Sequence, residues 1–426
     1  MEVAILLGVL GVNIILGVPL PFALGVTSLV ALFYIGGIPL VIIPQRLIAG
    51  LNSFGLLAIP FFILVGALMN ESGITKRIIA FSNCLVGHFT GGLALVNIVA
   101  SVFFAGISGS ATADTSAIGG ILIPAMIEEG YEPEFAVAVT ATSSTVGPII
   151  PPSITMVLYG IISGASITKL FLGGYIPGLL LGLLLCIIAY IISRKRNYPK
   201  YPRATAKQLL DTFLNAIWAL ILPFLIIGGI LSGIFTVTEA AGVAVVYSLV
   251  IGAFVYKQLT WTTVCDILFD SAVKVSALMT VAASALIYSW VLTLLQIPQA
   301  VTNAIFRVTT NPAVILLLLN LMLLLVGTFM EAKSAMIILV PVILPMLKNV
   351  GIDPVHFGVI MVFNLLLGLI TPPVGLCLNL ACQIAEVPIH KGFIASLPFF
   401  AVQIVILFLI TYVPSLVMFL PNLVYR

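Results

Sequence analysis

Charge is what this chain of 426 residues has least of: Asp, Glu, Lys and Arg make up 7% of it, against about 25% in a soluble globular domain. That scarcity excludes a water-soluble globular fold. Histidine is rarer still, with three residues, His88, His356 and His390, and each falls near the start or end of an apolar run. The five cysteines (Cys84, Cys186, Cys265, Cys377, Cys382) form no CxxC and no His/Cys cluster at metal spacing. They read as small buried hydrophobes, and no transition-metal site is expected. No HExxH, GxxxxGK[ST] or GxGxxG fingerprint is present, which removes zinc proteases, P-loop enzymes and dinucleotide-binding folds. With no nucleotide site, work must be driven by an ion gradient or by another subunit. The net charge of +3 is too small to argue for nucleic acid. Glu2 stands where a signal peptide has basic residues, so the first apolar run is expected to stay as a membrane helix.

What the chain has in abundance is apolar surface: 62% of residues are hydrophobic and the mean hydropathy is +1.29. Apolar runs follow one another along its length, and a span needs about 20 residues. The fold class is therefore an all-α polytopic membrane protein in a lipid bilayer. Inside it lies a stretch that cannot be plain helix, Gly106 to Pro152, rich in Gly, Ser, Thr and Pro. A backbone amide left unsatisfied in lipid costs several kcal/mol, so such a stretch must be buried in protein or line a polar cavity.

The stretch recurs. Gly106, Pro124, Gly130, Pro133, Gly147, Pro151, Pro152 and Pro177 are matched by Gly327, Pro345, Gly351, Pro354, Gly368, Pro372, Pro373 and Pro398, each pair 221 apart without a gap. The constant spacing points to duplication. It divides the chain into a first repeat (1–193), a basic linker (194–210) and a second repeat (211–426).

In the first repeat, spans are predicted near 3–17, 20–38 and 54–69, with an interfacial piece around Pro44, Gln45 and Arg46. From Gly91 to Ile127, two apolar arms of about 15 residues flank GISGSATADTS. An arm of that length rises about 22 Å against about 30 Å of hydrocarbon, which predicts a re-entrant hairpin. The next span, 135–165, is broken at TSSTVGPIIPPS, because Pro148, Pro151 and Pro152 remove backbone donors and clash with the preceding turn. A last span over 170–192 runs into RKRNYPKYPRATAK, which holds six of the seventeen basic residues and puts the linker in the cytoplasm.

The second repeat follows the same plan. Spans are predicted at 213–231, 239–256 and 276–296, then a hairpin (312–347), a broken span (356–386) and a last span (392–420). Lys274 falls in an amphipathic stretch before the third of these, and Glu239 in a loop. Each repeat then crosses five times. Five is odd, so the repeats must be inverted, with Lys200 inside and Arg426 outside. Inverted repeats whose discontinuous helices meet at the midplane are the architecture of secondary transporters.

The candidate site residues follow. Ser108, Gly109 and Ser110 at the first tip and Ser143, Ser144, Thr145 and Gly147 at the first break offer hydroxyls and freed carbonyls suited to Na⁺. The second copy offers Gly327, Thr328 and Glu331 at its tip and Asn364, Gly368 and Thr371 at its break. Pro151, Pro152, Pro372 and Pro373 hold the breaks open. Asp114, Glu331 and Lys333 are ionisable at membrane depth, where a charge costs about 2.5–3.5 kcal/mol, so they are functional candidates. Neutral oxygens are expected to bind the ion, with Asp114 mattering less. The bland alternative is that Ser and Gly only let helices pack closely. Gly106-Ile107-Ser108-Gly109 also matches the GxSG of intramembrane serine proteases, which would need a histidine partner on a spanning helix.

The opening Gly17 to Gly25, the segment IPFFILVGALM (Ile59 to Met69), SGSATADTSAIGGILIPAM (Ser108 to Met126) and the two GxxxPP breaks together resemble the large membrane subunit of tripartite ATP-independent periplasmic (TRAP) transporters. The likeness runs along essentially the whole chain. It implies an elevator of the ion-transporter type that imports a carboxylate, of the sialic acid or C4-dicarboxylate class, on a Na⁺ gradient in a bacterial inner membrane. It also implies a small membrane subunit of about four spans and a soluble periplasmic binding protein as partners. A stand-alone Na⁺/carboxylate carrier is the nearest alternative.

Overall fold

A computed structural model describes the backbone of residues 2–425 and their side chains except at 2–5, 7, 14, 15 and 50. The described residues form helices and connections with no strand, as lipid requires of a chain that does not close into a barrel. The first repeat holds α1 (Glu2–Ile15), α2 (Leu20–Ile35), α3 (Ile42–Leu51), α4 (Ala58–Glu71), α5 (Ile74–Val86), α6 (Gly92–Ser108), α7 (Ala111–Glu128), α8 (Pro133–Ser144), α9 (Ile154–Ser163) and α10 (Ile167–Lys195). The second holds α11 (Ala206–Leu231), α12 (Val237–Val250), α13 (Trp261–Leu294), α14 (Ile297–Val308), α15 (Pro312–Phe329), α16 (Ala332–Asn349), α17 (Pro354–Leu367), α18 (Leu376–Ala385), α19 (Ile389–Tyr412) and α20 (Ser415–Val424). Helices α7 and α16 begin and end 221 residues apart, and so do the starts of α8 and α17.

The two faces of the molecule can be told apart by contacts. On one face the linker lies across the open end of the first hairpin: Gly91 N donates to Pro199 O at 3.0 Å, Tyr201 N to Gly87 O at 3.0 Å, and Arg196 pairs with Glu132. Glu71, Lys76, Thr212 and Gln258 surround one cavity on this face, so α4 ends and α11 and α13 begin there. On the opposite face Thr238 donates to Phe54 O and Tyr159 to Pro354 O, which puts the open end of the second hairpin there. Lys169 lies over the ring of Tyr425 at that end too, 5.7 Å from its centroid. The hairpins thus enter from opposite faces, and the chain end lies across the molecule from the linker. Arg426 itself lies outside the described residues.

Packing interlocks the repeats. Helix α2 packs on α13 and α12 on α4, the same pair exchanged between repeats, and this makes a scaffold. Helix α18 packs on α7 and α8, and α9 on α16 and α17, so each post-break half-helix lies against the other repeat's hairpin. This second body also takes in α10 and α19.

Several sequence boundaries move. The hairpin arms run 17 and 18 residues, not about 15. Among the described residues eight helices are long and apolar enough to span, and they include both arms of the second hairpin, so it is the sides on which arms begin and end, not their length, that make them re-entrant. The span expected at 276–296 is the end of one 34-residue helix, α13, which carries Lys274 within it. At 1.5 Å per residue it is about 51 Å long and projects beyond the hydrocarbon. Two amphipathic helices, α5 and α14, fill the stretches between the third predicted span of each repeat and its hairpin. Glu239 sits in the first turn of α12, not a loop, because Thr236 and Glu239 form a reciprocal capping box. The last span stops at Tyr412, and α20 follows it. Cys265 is exposed rather than buried.

In a cysteine-free background, a membrane-impermeant thiol reagent should label Tyr425→Cys from outside and Lys200→Cys only after the membrane is opened. Labelling of both from one side would contradict an odd number of crossings between them.

Candidate functional site

The first tip is shaped by what it presses against. Helix α6 ends at Ser108, and Gly109 turns left-handed at φ +59°, where a Cβ would stand 2.5 Å from Pro152 O of the break. A Cβ on Gly106 would stand 2.7 Å from Pro223 of α11, and one on Gly66 of α4 would stand 3.4 Å from the Ser108 backbone. Small residues are therefore required where the tip meets the break and the scaffold.

Ser108 Oγ donates to Asp114 Oδ1, and the Asp114 side chain is fully buried. Its other oxygen, Oδ2, has no hydrogen-bond partner and stands 2.3 Å from where a Cβ on Gly147 would be. Tip and break thus converge on one carboxylate. Asp114, expected to stand aside from the neutral oxygens, lies where tip and break meet. The same contact removes the protease reading, since the partner of Ser108 is a carboxylate rather than a histidine.

The hydroxyls of the first break are all buried. Ser144 donates to Thr140 O at 2.8 Å and Thr145 to Thr142 O at 2.7 Å, bonds back to their own helix that leave oxygen lone pairs free. Ser143 joins a cluster with Asn97 and Ser101 at 3.2 and 3.0 Å. Gln403, reaching from α19, donates to Thr145 Oγ1 at 2.9 Å and Thr142 O at 3.1 Å. The Pro151-Pro152 and Pro372-Pro373 bonds are both cis.

The second copy is built differently. A Cβ on Gly368 would stand 2.0 Å from Gly327 O, so tip and break meet glycine to glycine. Asn364 donates to Asn320 Oδ1 at 2.8 Å, and Asn320 to Thr411 Oγ1 at 2.9 Å. Thr371 bonds back to Leu367 O, and Thr328 to Leu325 O. Glu331 and Lys333 form an ion pair.

A cavity of about 660 Å³ separates the two tips from the scaffold. Ser108, Ser110 and Thr112 line it from the first tip, Glu331, Lys333 and Ser334 from the second, and Asn70, Glu71, Asp270 and Lys274 from α4 and α13. Because α4 ends and α13 begins on the linker face, the cavity opens that way. Ser110 and Glu331 are the N-caps of α7 and α16, and neither side chain caps its helix. Two helix N-termini with their partial positive charge therefore border the cavity, an arrangement suited to an anion. The break residues Ser143, Ser144, Thr145, Gly147, Asn364, Gly368 and Thr371 do not line it. They lie behind the tips, so the structure sorts the sequence candidates into a cavity wall and a buried support.

Sequence reasoning missed Asn97, Asn320 and Gln403, and the scaffold wall at Asn70, Glu71, Asp270 and Lys274. The available signal was the cost of placing a polar side chain within an apolar helix.

Residues 7–416 match a family described as the tripartite ATP-independent periplasmic transporter, DctM component. The sialic acid TRAP transporter large permease protein SiaM of Vibrio cholerae is 39% identical over 407 residues, 96% of this chain and 95% of SiaM. The C4-dicarboxylate TRAP transporter large permease protein DctM of Pseudomonas aeruginosa is 41% identical over 371 residues, 87% of each chain. The crystal structure of the Alcanivorax borkumensis YdaH transporter shares the fold, with a TM-score of 0.60 over 86% of both chains at 16% identity.

Gly147→Ala should lower the thermal stability of the purified chain by about 1–3 kcal/mol through overpacking. The loss should shrink in an Asp114→Ala background, since residues in contact couple by about 0.5–3 kcal/mol. Additive losses would contradict the Asp114–Gly147 contact.

Proposed function

Because the chain belongs to the DctM-component family of tripartite ATP-independent periplasmic transporters, we propose that it imports an organic acid of the sialic acid or C4-dicarboxylate class on a Na⁺ gradient. It does so in a bacterial inner membrane, together with a small membrane subunit and a periplasmic substrate-binding protein. The chain is a transporter subunit and not an enzyme. The observation that carries the reading is the cavity itself, bordered by both hairpin tips on one wall and by the scaffold on the other. A site at that boundary changes its exposure when one body slides past the other. The hairpins, broken helices, α10 and α19 form the moving body of an elevator, and α2, α4, α12 and α13 the fixed wall.

Family membership also favours the tripartite reading over a stand-alone carrier. The substrate carboxylate is received at the N-termini of α7 and α16. Na⁺, as the coupling ion, is held where Asp114 presents an unpartnered oxygen beside Gly147 and the break hydroxyls. A second ion is held at the Asn364 end of the other break, where Asn364 Oδ1 is likewise unpartnered. Asp114 crosses with the loaded and the empty body alike and cancels over the cycle, so two Na⁺ with one monovalent anion carry one net positive charge inward. That charge falling through about 100 mV contributes about 2.3 kcal/mol to import.

Proteoliposomes holding the chain and both partners test this with a panel of acids, with and without a Na⁺ gradient. Asp114→Asn should raise the Na⁺ concentration for half-maximal uptake by about tenfold or more, the loss of one charge-assisted contact. Ser144→Ala should raise it less, with docking of the soluble partner intact in both. Uptake indifferent to Na⁺, or Na⁺ dependence unchanged by both substitutions, would contradict the proposal.

A further inference from the structure

The second hairpin tip carries charge that the first lacks. Where the first has Ser110 and Thr112, the second has Glu331 and Lys333, again 221 residues on. The two are joined as an ion pair, their side chains are 41% and 27% exposed, and both face the cavity. A partly exposed pair of near neighbours contributes little to folding, so stability does not explain its presence in the wall of a membrane cavity. An ammonium has three donors, and Glu331 takes one of them. Glu331 in turn leaves its own helix uncapped and keeps acceptor sites free. The pair therefore offers the cavity cationic donors and an anionic acceptor side by side.

A bare carboxylate docking here would gain Lys333 and be repelled by Glu331. A carboxylate with a hydroxyl on the neighbouring carbon satisfies both, the carboxylate on Lys333 and the hydroxyl donating to Glu331. A second carboxylate finds no such welcome. The helix N-termini and Lys333 receive one carboxylate, but with Glu71, Asp270 and Glu331 lining the cavity against Lys274 and Lys333, a second carboxylate is left without a cationic partner. The serine and threonine hydroxyls of the first tip suit further hydroxyls on the substrate.

We infer that the Glu331–Lys333 pair reads the substrate, and that the acid carried is a hydroxylated monocarboxylate with a hydroxyl next to its carboxyl group. This rests on the transport reading above, within which it selects the sugar-acid type over the plain C4-dicarboxylate.

The purified chain in Na⁺-containing detergent solution tests it without the selectivity of a soluble partner. Thermal stabilisation is titrated with gluconate, malate and succinate, the last two differing by one hydroxyl. Gluconate and malate should each stabilise at concentrations about tenfold or more below succinate, as a hydrogen bond to a charged acceptor allows, and gluconate should be the strongest. Glu331→Gln, nearly the same in shape, should bring malate and succinate together, and Lys333→Ala should remove stabilisation by all three. Equal stabilisation by malate and succinate, a malate preference that survives Glu331→Gln, or no stabilisation by any acid would overturn the inference. Uptake by the complete reconstituted transporter separates the two levels. Na⁺-driven uptake of acids without regard to the hydroxyl would overturn the inference and leave the transport reading. Absence of Na⁺-driven uptake of every acid would overturn the transport reading.

Discussion

Lipid offers no hydrogen bonds, so every interruption of a helix within the membrane must be covered by protein. The rest of this structure is arranged to meet that constraint. Two hairpins and two broken helices expose backbone, and each covers another: Gly109 against Pro152, Gly147 against Asp114, Gly327 against Gly368. Gly109, Gly147 and Gly368 are needed because a Cβ there would stand 2.5, 2.3 and 2.0 Å from Pro152 O, Asp114 Oδ2 and Gly327 O. The half-helices α9 and α18 exchange places between repeats, so neither repeat could bury its own interruption alone. Duplication and inversion are thus what make the interruptions tolerable.

The same arrangement leaves polar groups in a low-dielectric interior with few partners. Asp114 Oδ2, Asn364 Oδ1 and Gln403 Oε1 are buried acceptors without donors. Such oxygens are costly unless water or a cation completes them. These three lie at the breaks, behind the hairpin tips, among the groups that support the cavity wall. The hairpin tips in front of them form one wall of the cavity.

Much of this was legible in the sequence. The glycine and proline pattern survived duplication because backbone geometry, not side-chain chemistry, dictates it, and so the repeat, the hairpins and the breaks could be read directly. The ends of elements were less legible. Lys274 read as part of an amphipathic stretch outside the spans, yet α13 continues through it, and Lys274 lines the cavity with Asp270. Asn97 and Gln403 stand out as polar residues within apolar helices, but their partners were not legible, because the groups they bond lie 43 and 258 residues away. The surroundings of Asp114 were not legible for the same reason: its neighbour Gly147 is brought to it by the break, which composition alone does not place.

The central claim is that hairpins and broken helices form one body that moves past a scaffold. Spin labels on exposed positions of the linker face test it by distance measurement. Glu128→Cys with Lys391→Cys reports within the body, and Lys391→Cys with Trp261→Cys reports across the boundary. Addition of Na⁺ and substrate to the reconstituted transporter should shift or split the Lys391–Trp261 distance and leave the Glu128–Lys391 distance as a single population. A change within the body, or an unmoved boundary under conditions that support uptake, would contradict the account.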